Sequence, residues 1–179
     1  MTKVLSADFA AFSRQYLAAH RTLNDISDPT SYSNVYWYGP VYHNLGMAIE
    51  LAFKAVLLAN EWSEDDIKSH NLRKLYEMIW PYMGDWKEFE RTLGEESKKL
   101  NDLPSQLKAR RVSDLKAQVG YHVFSMQLTV LNETYFAGLN GGSKFKTRYP
   151  SQSDTRRYAV NTSLLAMATE RILDSFCRS

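Results

Sequence analysis

The chain has 179 residues, 44% hydrophobic and 23% charged, with a formal net charge of +2. One helical domain spanning 1–179 is the expectation, and so small a basic excess argues against a protein that coats polyanions by bulk charge. The single cysteine, Cys177, excludes an intramolecular disulfide and a cysteine-based zinc site within one chain.

No signal peptide is read in "MTKVLSADFAAFSRQY", where Asp8 and Arg14 interrupt a short apolar run. No run of about 18 consecutive apolar residues suggests a membrane span. A cytoplasmic protein without membrane contact is expected.

The periodicity is helical nearly throughout. Residues 6–22 predict a first helix, N-capped by Ser6, with Phe9, Phe12, Tyr16, Ala19 and Leu23 as its apolar stripe. Residues 24–40 are punctuated by Asn, Asp, Ser, Pro and Gly; Tyr32, Tyr36, Trp37 and Tyr38 predict an ordered loop pinned by aromatic burial. Residues 41–60, apolar on almost every side, predict a central core helix.

A short acidic connection over 61–69 leads to a helix at about 70–80, with Ser69 or His70 near its N-cap and Pro81 ending it. Residues 85–101 predict an exposed charged helix that Gly94 weakens. Pro104 marks a break, and 105–119 and 120–137 predict further helices interrupted near Gly120. A Gly- and Ser-rich basic loop at 138–154 precedes a last helix at about 155–177, capped by Asp154 or Thr155. No segment alternates as a strand does. The expected class is all-α, a bundle of five to seven helices.

Glu50 and Lys54 are the only formal charges between residues 41 and 60. Four residues apart with the acid first, they suit a helix ion pair. They fit either the one solvent-facing strip of a core helix or a polar site. Charge on a mostly buried helix calls for polar company, and His70 and Arg148 are the candidates. His70, in "SHNLRKLYEM", is either a structural hydrogen-bonding residue or a titrating, ligand-binding group.

The segment "AIELAFKAVLLANEWSEDDIKSHNLRKLYEMI", with Glu50, Lys54, His70 and Leu72, and the later "KTRYP" at 146–150, resemble HEPN domains. The resemblance covers about 40 residues closely and the rest in helix order. It implies an all-α bundle, frequently a homodimer, that binds nucleotides or RNA. Members act in toxin–antitoxin pairs, with a cognate antitoxin or nucleotidyltransferase-type partner, in phage defence and in RNA processing. Many are metal-independent RNases that use an Arg and, four to six residues on, a His placed late in the bundle.

Only Arg14 and His20, in "RQYLAAH", have that spacing here, and they fall on the first helix. As an RNase the chain would use His20 or His70 as acid or base and Arg14 or Arg148 on the phosphate. The basic run with Lys144, Lys146, Arg148, Arg156 and Arg157 is the phosphate-binding candidate, with Phe145 and Tyr149 as stacking groups; it also reads as a solvated loop. A phosphate loop, a dinucleotide fingerprint, a zinc-protease motif and an EF-hand are all missing. No cofactor or metal is expected, although His43 shares a helix face with Glu50. Three readings remain: a nucleotide- or RNA-binding regulatory module, an RNase with an atypical site, and a structural or assembly bundle.

Overall fold

The computed structural model describes residues 2–26, 38–100, 120–136 and 160–176. Every regular element among them is helical: α1 (Thr2–Ile26), α2 (Tyr38–Ala59), α3 (Leu72–Ile79), a 3₁₀ turn (Trp80–Tyr82), α4 (Trp86–Leu100), α5 (Phe124–Val130) and α6 (Thr162–Phe176). A π-helical segment, Leu131–Phe136, continues α5. The fold is all-α, with no strand among the described residues. The helix expected over 105–119, the basic loop at 138–154 and Tyr32, Tyr36 and Trp37 lie outside them.

Helix α2 is the axis and packs on α1, α3, α6 and the π-helical segment. Leu45, Ala48, Ile49, Ala52, Phe53, Val56 and Leu57 are fully buried. By length and composition Gly39–Ala59 is apolar enough to cross a membrane, but 78% of that stretch is buried inside the protein, as a core helix is. Around it, Phe53 stacks on Tyr76 at 5.8 Å, and Tyr76 meets Phe124 edge-on at 5.1 Å, which joins α2, α3 and α5.

The seam between α1 and α2 corrects the apolar stripe expected for α1. Its buried face is Ser6, Ala10, Ser13, Leu17 and His20. Phe12 is 54% exposed, and Phe9, Tyr16 and Leu23 are only partly buried. Steps of four and three residues keep the five on one face of the helix.

Ser6 Oγ donates to the Ala55 carbonyl at 2.8 Å, and Ser13 Oγ to the Ala48 carbonyl at 2.6 Å. His20 Nδ1 donates to the Val41 carbonyl at 3.0 Å. Each seven-residue advance on α1 is a seven-residue retreat on α2, so the helices run antiparallel. Ser6 is therefore not an N-cap; it lies within α1 and ties it to α2.

Helix α2 closes on a left-handed residue. Glu61 has φ +67°, its amide donates to the Leu58 carbonyl, and the Trp62 amide reaches back to the Leu57 carbonyl at 3.1 Å. The N-cap of α3 is Asn71, whose Oδ1 accepts from the Lys74 amide; Ser69 and His70 lie just before it. The buried Asn132 side chain accepts the Leu72 amide at 2.9 Å, which fixes the start of α3 against the π-helical segment.

The cap of α6 is likewise displaced from Asp154 or Thr155. Asn161 Oδ1 accepts from the Leu164 amide, while its Nδ2 donates to Ser97 Oγ and the Tyr121 carbonyl. Gly94 lets α4 meet the His122 backbone: a Cβ there would stand 2.8 Å from the His122 carbonyl oxygen. The glycine that weakens α4 as a helix is thus required by packing.

Candidate functional site

Glu50 and Lys54 stand one turn apart on α2, with only 3% and 10% of their side chains exposed. Lys54 Nζ donates to Glu50 Oε1 at 2.7 Å. A carboxylate so deep in an apolar helix carries a large desolvation cost, which a single ion pair does not fully offset. The further partner comes from the chain just before α3: His70 Nδ1 lies 2.9 Å from Oε1 and 3.1 Å from Oε2 of Glu50.

The capping of α3 explains that placement. Asn71 caps the helix and Asn132 holds its first amide, so the residue before the cap is carried to the side of α2. There the His70 side chain is 58% exposed.

An ionised carboxylate only accepts hydrogen bonds, so His70 carries a proton on Nδ1. The opposite ring edge, with Nε2, is the one turned away from Glu50. The arrangement fixes the tautomer and orientation of an exposed imidazole by a buried carboxylate. Chemically it can donate or accept a proton at the surface, or receive an anion.

Of the other candidates, Arg14 is half exposed and pairs with Asp174 at 2.9 Å, whereas His20 is buried in the α1–α2 seam. The two stand on different faces of α1. Burial lowers the His20 pKa, Arg21 adds to that, and the bond to Val41 and the Asp25 charge oppose it. Lys146, Arg148, Arg156 and Arg157 lie outside the described residues. Among the described residues no three His, Cys, Asp or Glu side chains form a metal-binding group.

Two polar clusters escape sequence reasoning. Ser97 Oγ, 1% exposed by residue, lies 2.9 Å from His122 Nδ1 and accepts from Asn161. Burial and the nearby Lys98 lower the His122 pKa. In the second cluster, Tyr76 donates to Glu90 at 3.1 Å, and Ser125 donates to its other oxygen. Burial, followed by the Glu90 charge, raises the Tyr76 pKa far above the ordinary range, so this phenol stays a donor. The partners in each cluster are 14 to 64 residues apart, a separation at which no local spacing signals contact.

No family model, curated protein or solved structure matches the chain.

Proposed function

We propose that the chain is a HEPN-like bundle of five to seven helices that binds a nucleotide or RNA through Glu50, Lys54 and His70. It acts as a homodimeric regulatory component of a toxin–antitoxin or phage-defence system. The observation that carries the reading is the 2.9 Å contact from exposed His70 to buried Glu50. The contact offsets part of the cost of burying Glu50, and a ligand-binding histidine also gains fixed geometry from it. The Glu50–Lys54 pair followed by "HNL" is also the part of the sequence that resembles HEPN domains.

The RNase reading draws on the same contact, because a carboxylate behind Nδ1 is how a general-base histidine is commonly held. Incubation of the protein with a mixed RNA pool, read by fluorescence anisotropy for binding and by gel for cleavage, separates the readings. Binding without cleavage, weakened in His70→Gln, is the expected result. Cleavage lost in His70→Gln makes the chain an RNase. If neither RNA nor any nucleotide binds or raises the melting temperature, the polar cluster is structural.

A further inference from the structure

At the start of α3, Asn71, Arg73, Lys74, Glu77, Asn132 and Glu133 line an open depression of about 300 Å³, the lower end of ligand-site volumes. Arg73 and Glu77 bond each other there at 3.3 Å. Lys74 and Glu133 have no ion-pair partner among the described residues. Two cations and two carboxylates leave the depression without net charge, so it suits a neutral group better than an anion.

Asn132 points to a ligand. It is 2% exposed, and its Oδ1 accepts the Leu72 amide at 2.9 Å, which fixes Nδ2 as the other end of the carboxamide. That Nδ2 carries two N–H donors and has no acceptor among the described residues. It is not sealed in the core without a partner, so it opens on the depression that Asn132 lines. Glu133, next in the chain, brings two acceptor oxygens to the same depression. Both residues belong to the π-helical segment, a winding frequent at functional sites.

A carboxylate beside a carboxamide donor and an ammonium has one match among the nucleobases. Guanine presents two neighbouring donors, N1–H and the 2-amino group, next to the acceptor O6. Adenine and cytosine put a ring-nitrogen acceptor where guanine has N1–H, and a carboxylate repels it. Uracil offers a single donor.

We propose that this depression binds a guanine base of single-stranded RNA. Glu133 accepts from N1–H and the 2-amino group, while Asn132 Nδ2 and Lys74 donate to O6. The inference rests on the RNA-binding reading of Glu50, Lys54 and His70, and adds the base that is read. His70 directly precedes Asn71, so one strand can place a phosphate at the first and a base beside the second.

The test is fluorescence anisotropy with four labelled pentamers: UUGUU, UUAUU, UUUUU, and a fourth with inosine at the centre. UUGUU should bind roughly tenfold or more tightly than UUAUU and UUUUU. Inosine lacks the 2-amino group and should fall between. Asn132→Asp keeps the acceptor for Leu72, loses the donor, and should remove the guanine advantage. Glu133→Gln is the sharper variant, because a carboxamide pairs with N1 and the 6-amino group of adenine. It should raise UUAUU to or above UUGUU, a reversal that a merely structural Glu133 would not produce. His70→Gln should weaken all four alike, since it acts on the backbone. Circular dichroism checks that each variant folds; should buried Asn132→Asp not fold, half-buried Glu133→Gln carries the test.

Equal binding of the four pentamers, a preference for another base, or a guanine preference that survives in Glu133→Gln overturns the base site and leaves the RNA-binding reading standing. Binding of no pentamer overturns both.

Discussion

His70 bonds both carboxylate oxygens of Glu50, at 2.9 and 3.1 Å, although the acid is almost wholly buried and the histidine is mostly exposed. The two partners are thus unequal. Removing the acid strands Lys54 as a buried ammonium without an acceptor, so Glu50→Ala should cost about 3–5 kcal/mol. His70→Gln leaves Glu50 paired with Lys54 and should cost about 1 kcal/mol, the loss of one charged hydrogen bond at the surface. Urea denaturation followed by circular dichroism gives both values. Equal costs would mean that the pair is not asymmetric in the way its burial implies.

The α1–α2 seam carries three buried donors beside the apolar Ala10 and Leu17. Ser13 is fully buried and donates to the Ala48 carbonyl. Ser13→Ala should therefore lose about 1 kcal/mol. Ser13→Leu, which a reader of hydrophobicity would expect to stabilise, should lose about 1–3 kcal/mol by forcing the helices apart. A stabilised Leu variant in the same denaturation experiment would contradict the close seam.

Acid should open this seam first at His20. Burial holds its folded pKa below the ordinary 6.5, so the unfolded chain takes up the proton first as pH falls. Its contribution to stability is complete above that ordinary value. It is lost as pH falls toward the depressed folded value and levels off beneath it. His122 shifts the same way and should add a smaller effect, because it is more exposed. Urea midpoints measured from neutral pH downward should fall, and His20→Gln should reduce the slope; an unchanged slope removes His20 as its source.

Two backbone positions should respond against their helix propensities or side-chain content. Gly94→Ala improves α4 as a helix by about 1 kcal/mol. Its Cβ nevertheless meets the His122 carbonyl at 2.8 Å, so the net effect should be destabilising by about 1–2 kcal/mol. Glu61→Gly removes a side chain and should stabilise by about 0.5–1 kcal/mol, because its φ of +67° is a conformation that glycine adopts freely. Thermal melts of the two variants should move in opposite directions.

What the sequence made legible follows from what is local. The all-α class was readable because the 3.6-residue period persists, and α2 because it is apolar on nearly every side. Glu50 and Lys54 could be paired from spacing alone. His70 could be brought to them only as a candidate, since the turn that returns the chain depends on Asn71 and Asn132, the latter 60 residues from the amide it caps.

The buried face of α1 was misread because Ser6, Ser13 and His20 are polar. Their burial depends on carbonyls of another helix, which hydropathy cannot register. Asn161 was missed as a cap because Asp154 and Thr155 offer the same capping chemistry a few residues earlier.

The most direct measurement is the ring NMR of the four histidines during titration with a short oligouridylate. The account predicts that the His70 ring signals shift progressively with bound RNA, while those of His20, buried in the α1–α2 seam, stay in place. RNA that binds without moving the His70 signals would contradict the claim that Glu50, Lys54 and His70 form the ligand site.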